Sequence, residues 1–437
     1  MEIKLGYDRI EDGKFIPNGM PSDYKYFDSI HLYQKQYGQD PTVHSMFEHL
    51  SRYKKEVGKI KGNFIYPIEQ FGAIEKVIGQ EDNYKDMCFL KHIKKSTLKK
   101  IKSGQGKIVI MALDESRIHL HNMVHLHTLL KKYKISSLHY LTGVNWTIND
   151  LYTEWCTKTK QEKIINIINS YEQMYLKAWD LRCPDSNTFV EKEDIDKIDT
   201  LPLRPKRFLC FNRRIKPHRY ALIANFYHDD LLKDNLVSFS LEQGKDLNHY
   251  RQDDEIPALL SMNRILGKTE FKKTLQNYYD ELFKMSPQTI DYPEITYVIG
   301  PGCENKEPYL ETYFSVVTET TFESKSCYMS SEKIYRPMLQ YHPFIVYGSP
   351  YTLKNIKECG FKTFHPLINE EYDEIESPYL RYKKVYNEIK RLCSLSNEEM
   401  HKLYKKMIPI LQHNRNLLSK YSKMYQNNLP SILRSIL

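Results

Sequence analysis

The chain has 437 residues, which at about 100–200 residues per domain corresponds to two domains or at most three. Hydrophobic residues make up 41% and charged residues 27%, with 17 Gly and 20 Pro, so disordered, collagen-like and low-complexity classes are excluded. Lys and Arg exceed Asp and Glu by 64 to 55, a net charge of +9 that suits an anionic ligand but falls short of the lysine density of a dedicated nucleic-acid binder.

No uncharged run approaches the roughly 20 residues needed to cross a bilayer, and Met1–Ile10 lacks the apolar core of a signal peptide. A cytoplasmic protein is expected, in the host cytoplasm if the source is a virus. The eight cysteines are scattered without a CxxC pair, which predicts reduced thiols and neither a disulfide framework nor a zinc ribbon. The 34 tyrosines suit stacking on sugars or bases and equally fit a Lys/Ile/Tyr-rich codon bias.

In chain order, Phe64–Pro67, Ile108–Leu113 and Leu138–Leu141 read as strands. Between the first two, Leu90, Ile93, Leu98 and Ile101 recur at near-helical spacing while Lys91, Lys95, Lys99 and Lys102 share another face, the pattern of one amphipathic helix with a solvated basic side. Met123–Tyr133 and Ile148–Trp155 supply further helices, so strands and helices alternate as a parallel α/β sheet requires. Helical periodicity is expected from Glu162 to about Trp179. The acid-rich stretch Pro184–Thr200 reads as a linker, which places a boundary near residue 200 and divides the chain into 1–200 and 201–437.

Beyond it the alternation restarts. Phe208–Phe211, Val237–Phe239, Ile295–Ile299, Phe314–Val317 and Phe344–Tyr347 are strand-like, with helices at His218–Tyr227, Lys333–Gln340 and Leu353–Cys359. The polar segment 241–290 reads as a largely helical insertion. Val385, Ile389 and Leu392, then Leu403, Met407 and Leu411, predict a C-terminal helical tail. The fold class expected is therefore α/β, with two Rossmann-like domains facing a cleft and ligands bound outside the carboxyl ends of the strands.

Two segments carry the candidate chemistry. In Phe314–Gly348, Glu319 follows an apolar strand and Ser330-Ser331-Glu332-Lys333 opens a helix. A helix N-terminus can bind phosphate, Lys333 adds a full charge, and Glu332 suits paired ribose hydroxyls; a helix cap at Ser331 accounts for the same residues. In Phe208–Arg219 (FLCFNRRIKPHR), a strand runs directly into Asn212, Arg213, Arg214, Lys216, His218 and Arg219, and Pro217 can start the next helix amid that basic cluster.

A SEK helix start leading into RPMLQYHPFIVYGSP and GFKTF, with FLCFNRRIKPHR upstream, resembles the viral and bacterial glycosyltransferases related to the alpha-1,3-fucosyltransferase family. The likeness covers about residues 205–420 and is most specific over Ser331–Phe364. It implies the two-domain GT-B fold and a nucleoside-diphosphate sugar as donor. Glu332 and Lys333 would bind ribose and pyrophosphate, with Ser331 where threonine is usual. Arg219, or else Arg213, would be the arginine beyond Asn212, and Glu319 the acidic residue after the preceding strand. No acceptor motif is recognisable, so no particular sugar is implied.

If the anomeric centre is inverted, a carboxylate must take the acceptor proton, and the resemblance places it in the amino-terminal domain. Glu115 is the first candidate and Asp114 the second, both directly after the IVIMAL strand, with Glu69 third. His119, His121, His125 and His127 lack an acidic or cysteine ligand at metal-site spacing, so no metal and no other cofactor is expected.

The reading is an inverting, metal-independent glycosyltransferase acting on a glycan or glycoconjugate hydroxyl. Two alternatives stay open. One is a phage-type enzyme that glycosylates modified DNA bases, with the lysines of 91–107 as acceptor track. The other is a non-catalytic protein that binds nucleotide sugars or polyanions.

Overall fold

The computed structural model of the chain describes residues 2–11, 14–15, 18, 53–58, 60–69, 74–80, 85, 88–112, 118–142, 147–169, 189–197, 202–212, 216–239, 278, 281–286, 288, 290–292, 295–296, 306–322 and 331–437. They fall into two compact units, one drawn from Met1–Asp180 with Lys420–Leu437, the other from Leu181–Lys325 with Ser330–Ser419.

The first unit is built on six parallel strands: β1 (Lys4–Tyr7), β2 (Lys54–Val57), β3 (Phe64–Glu69), β4 (Gly106–Ala112), β5 (Leu138–Thr142) and β6 (Ile165–Asn169). Their order across the sheet is β2-β1-β3-β4-β5-β6. The accompanying helices are α1 (Ile74–Ile78), α2 (Phe89–His92), α3 (Lys95–Lys102), α4 (Leu120–Lys132) and α5 (Ile148–Lys158). Every step from β3 to β6 moves the same way across the sheet, so right-handed crossovers put α3, α4 and α5 on one face. There Tyr66, Ile68, Ile108, Ile110 and Tyr140 meet Ile101, Leu126, Leu130 and Tyr152. Alternate residues Leu5, Ile65, Val109, Met111 and Leu141 point the other way, onto Leu429, Leu433 and Ile436 near the chain's end. Burial on both faces is why these strands are continuously apolar.

Three features of this unit differ from the sequence reading. The helix expected across 90–102 is two helices, broken at Ile93 and Lys94. The buried Asp8 carboxylate, just beyond β1, accepts the Lys94 N–H at 2.9 Å, the Thr97 hydroxyl at 2.6 Å and the Tyr66 hydroxyl at 2.8 Å, which pins the second helix start. Ile165–Asn169, expected to be helical, is a strand, because Ile164, Ile165, Ile167 and Ile168 satisfy a helical spacing while their β-branched side chains complete the edge of β5; residues 170–179 lie outside the described set. The strands β1 (KLGY) and β2 (KKEV) were not anticipated, because neither carries a continuous apolar run, and β2 is a polar edge strand.

The second unit has four parallel strands, β7 (Lys206–Phe211), β8 (Leu236–Ser238), β9 (Thr312–Thr318) and β10 (Phe344–Tyr347), in the order β8-β7-β9-β10. Its helices are α6 (Lys192–Asp196), α7 (Pro217–His228), α8 (Glu307–Glu311), α9 (Glu332–Leu339), α10 (Thr352–Glu358), α11 (Pro378–Ser394) and α12 (Asn397–Ile436). The described structure is thus mixed α/β with a parallel sheet in each unit, the class expected from the alternation of elements. Ile295–Thr296 pairs antiparallel with Asp291–Tyr292 and does not join the main sheet, and 297–299 lie outside the described residues. So does most of 241–290, apart from a short helical stretch at 281–285.

Of the stretch 184–200, expected as a linker, the structure describes 189–197, and the helical tail contributes residues to both compact units. Val190 N–H bonds the Gln340 side chain at 2.8 Å, Ile195 is buried, and the Arg415 guanidinium lies 5.0 Å from the centre of the Phe189 ring, so the end of the expected linker packs into the second unit. Tyr404, Met407 and Leu411 of α12 are buried in the second unit, whereas Leu429 and Leu433 complete the first.

His342, in the HPF motif, is fully buried between β9 and β10. Its Nε2 faces the Thr312 carbonyl at 2.8 Å and its Nδ1 the Ser315 hydroxyl at 2.8 Å, a pairing that suits the neutral ring with the proton on Nε2. Burial, reinforced by the Arg204 charge, holds its pKa well below the usual value of 6.5. Below about pH 6.5 the unfolded chain binds a proton that the folded ring refuses, so this group lowers stability as pH falls, by up to about 1.4 kcal/mol per pH unit. Thermal melts between pH 7.5 and 5, all about the ordinary histidine pKa, should show a shallower acid loss in His342→Gln than in the native chain. Equal slopes would mean that the ring is not held neutral.

Candidate functional site

In the second unit the chain leaves β7 toward β8 on one side and leaves β9 toward β10 on the other. The carboxyl ends of β7 and β9 therefore form the topological switch point, where open parallel sheets leave a crevice for ligands. The segments beginning at Asn212 and at Glu319, singled out from sequence, emerge here. Asn212 is buried, and its Oδ1 accepts the Thr318 hydroxyl at 2.7 Å, tying the two strand ends together. Burial pushes the neighbouring Cys210 thiol up to about 12, so it stays a protonated packing group.

Glu319 has no exposed surface. Its Oε1 accepts the Ser331 N–H at 3.0 Å and its Oε2 the Ser331 hydroxyl at 2.6 Å. Ser331 is the N-cap of α9: its Oγ accepts the Lys333 N–H at 3.3 Å and lies 3.2 Å from Lys333 Nζ. The start of α9, read from sequence either as a phosphate site or as a cap at Ser331, carries that cap and holds an internal carboxylate. Glu332 and Lys333 are its first two residues, and Lys333 is partly exposed.

The backbone after β9 is gripped from the start of α7. The Arg219 guanidinium donates to the Thr318 and Glu319 carbonyls at 2.9 and 3.2 Å, His218 Nε2 meets the Glu319 carbonyl at 3.0 Å, and Lys216 Nζ meets the Thr320 carbonyl at 3.1 Å. The His218 ring also stacks on Phe322. Among the described residues α7 has no side-chain cap: Lys216 is the extended N-cap residue and Pro217, which lacks an N–H, begins the helix. The start of α10 is closed by Asp373, which accepts the Leu353 and Lys354 N–H groups at 2.8 and 2.9 Å. Among the described residues the starts of α9 and α10 hold an internal carboxylate and α7 has no side-chain cap, and Lys216, His218 and Arg219 stand at that start.

Arg381 is a supporting residue that the sequence reading missed. It is buried, donates to the Gly348 carbonyl at 3.1 Å and the Ile375 carbonyl at 2.6 Å, bonds the Phe322 carbonyl, and so fixes the loops after β9 and β10. An isolated arginine in the helical pattern of α11 gives no local sign of that role.

Arg213, Asp114 and Glu115 lie outside the described residues; Glu69 ends β3 in the first unit. Of the four histidines, His119 and His121 stack at 5.5 Å and His127 Nδ1 bonds the Tyr152 hydroxyl at 2.7 Å. Among the described residues no group of three or more His, Cys, Asp or Glu could hold a metal, and no helix is long and apolar enough to cross a membrane.

No protein-family model matches the chain, and no curated protein is similar to it. The solved structure of an alpha,alpha-trehalose 6-phosphate synthase from Burkholderia multivorans superposes with a TM-score of 0.38 at 9% identity, over 86% of this chain and 71% of that one. That level of likeness carries no functional argument, and the site stands on its own residues.

Gly348 offers a test of how tightly Glu319 is held. A Cβ there would lie 3.0 Å from Glu319 Cβ and 3.1 Å from its Cγ. Because hydrogen bonds lock the carboxylate, Gly348→Ala should cost about 1–3 kcal/mol, and Ser331→Ala, which removes the cap, about 0.5–2 kcal/mol. Denaturant unfolding measures both, and native-like midpoints would mean that Glu319 shifts freely.

Proposed function

We propose that the chain is a glycosyltransferase whose second unit binds the nucleoside diphosphate of a sugar donor at the switch point between β7 and β9. The observation that carries the reading is the set of basic groups at the end of β9: Lys216, His218 and Arg219 from the start of α7 on the carbonyls of Thr318, Glu319 and Thr320, and Lys333 on Ser331, which bonds the Glu319 carboxylate. Solvated surface does not bury an arginine and a histidine against one strand end, whereas a diphosphate site needs fixed positive charge and helix N-termini together. The resemblance of Ser331–Phe364 to the fucosyltransferase-related enzymes supports a nucleoside-diphosphate sugar, with Glu332 on the ribose.

In this reading Glu319 and Asn212 are positioning residues, since both are buried and bonded to their neighbours. Lys333, Lys216 and the α7 terminus face the diphosphate, and Arg219 holds the β9 carbonyls beside it. The acceptor oxygen of a glycan or glycoconjugate bonds to the anomeric carbon as the bond to the diphosphate breaks. Charge growing on the leaving oxygen is met by these basic groups, without a metal ion. The acceptor oxygen attacks from the face opposite the departing diphosphate, which inverts the anomeric centre, and its proton passes to a carboxylate of the first unit, Glu115 first, then Asp114 or Glu69.

Lys333→Ala should stay folded and weaken binding of UDP or GDP about 10- to 150-fold, the equivalent of one charge-assisted hydrogen bond of about 1.5–3 kcal/mol. Isothermal titration on the native chain and on this variant measures it. Diphosphate affinity unchanged in both Lys333→Ala and Lys216→Ala would remove this site from donor binding. Arg219 is the poorer probe, because its loss also releases two buried carbonyls.

The proton acceptor is tested separately. Glu115→Gln keeps size and hydrogen-bonding reach but cannot take a proton, so turnover should fall about 10²- to 10⁴-fold at constant donor affinity. Near-native turnover in Glu115→Gln and Asp114→Asn alike would move the search to Glu69.

A further inference from the structure

Away from the switch points, the opposite edge of the first unit's sheet concentrates lysine. The pairing registers Phe64 with Gly106, Ile108 with Leu138 and Leu138 with Ile165 align the amino ends of β3 to β6, so the turns before them line one edge. Those turns touch: Phe64 N–H bonds the Gln105 carbonyl at 3.1 Å, Leu138 N–H bonds the Ile164 carbonyl at 2.9 Å, and Lys131 Nζ bonds the Gln161 side chain. Lys102, Lys132, Lys134 and Lys160 stand exposed along this edge, and among the described residues none of the four forms an ion pair. From Lys95 to Ala112 and from Ile118 to Thr142 the sequence has no Asp or Glu; of the nearby acids, Glu154 pairs with Lys158 and Glu162 is exposed.

The helix ends show that charge is favoured here over conformational ease. The helices α3, α4 and α5 close in the same way, with one residue in the left-handed region at the turn: Gly104 (φ 82°), Lys134 (φ 58°) and Lys160 (φ 53°). In each, the next N–H bonds back to the last helical turn, as in Gln105 to Lys100, Ile135 to Leu130 and Gln161 to Cys156. Glycine adopts this conformation without strain, yet two of the three turns use lysine. The matching turns of the second unit use Asp230, Tyr341 and Gly360.

We infer that this edge is a lysine platform for an anionic lipid surface. Its cations are all lysine: neither Lys95–Ala112 nor Ile118–Asn169 contains arginine, the residue that reads bases and clamps phosphates in pairs. They sit at the turns before three neighbouring strands, spread over about 10 Å at about 4.8 Å per strand, and so meet a flat charged plane better than a groove. Lysines near an anionic bilayer act additively as diffuse charge, each strengthening binding about fivefold. The inference is independent of the nucleotide site, because it concerns the other unit and the opposite end of its strands.

Co-sedimentation of the full chain with vesicles of phosphatidylcholine, with and without phosphatidylserine, tests it at low ionic strength. The expected result is binding to the phosphatidylserine vesicles that falls with salt and drops about 25-fold in Lys134→Gly/Lys160→Gly. That variant should melt at or above the native temperature, because glycine relieves both left-handed positions, so lost binding cannot be blamed on unfolding. Lys233→Ala/Lys357→Ala, which removes the same charge from the second unit, should bind as the native chain does. Absence of vesicle binding, equal loss in both variants, or a stronger shift of duplex DNA that the glycine variant abolishes would each overturn the inference.

Discussion

The bond between the Glu319 carboxylate and Ser331 holds the second unit's site together. A carboxylate removed from water costs several kcal/mol unless its oxygens are satisfied, and here one oxygen takes a backbone N–H while the other takes a hydroxyl. The pairing joins the end of β9 to the start of α9 across a gap of 12 residues in sequence. Gly348 leaves room for the side chain on the β10 side. With the carboxylate turned toward α9, the carbonyls of Thr318, Glu319 and Thr320 face α7, where Arg219, His218 and Lys216 take them. Three elements are thus fixed through one strand end.

The first unit uses a related device. Asp8 follows β1 as Glu319 follows β9, each at the strand end beside a switch point, and each is buried with its oxygens turned to the helix start it pins. All three groups on Asp8 belong to the protein's own framework, which makes it an anchor rather than a proton acceptor. Parallel sheets concentrate helix N-termini at one edge, and an internal carboxylate is the least costly way to satisfy those that no ligand will use. In the second unit, Asp373 at α10 and Glu319 at α9 do this, and among the described residues α7 has no side-chain cap.

The same geometry sets the charge of the opposite edge. Helix C-termini collect there, and lysine at a helix end complements the dipole whether or not a partner is bound. Dipole complementarity does not require lysine in a left-handed turn, however, because the charge works as well one residue earlier. Lys134 and Lys160 therefore set the first unit apart from the second, whose corresponding turns carry no lysine at the left-handed position.

The amino-acid sequence determined by itself what depends on neighbours along the chain. The apolar runs of β3, β4, β5, β7, β9 and β10, the helical spacings of α4, α5, α7 and α12, and the crowding of basic residues after β7 are local patterns, and they sufficed for the α/β class and for the segments at the candidate site. Tertiary structure decided whatever depends on a partner far away in sequence. The helical spacing of Ile164, Ile165, Ile167 and Ile168 became a strand because the edge of β5 was open to pairing, and one amphipathic helix became two because Asp8 binds the Lys94 N–H. Glu319, read as a ligand contact, lies buried against Ser331 at the start of α9. Each outcome turned on where a hydrogen-bonding group finds its complement after folding, a long-range condition that residue order along the chain does not encode locally.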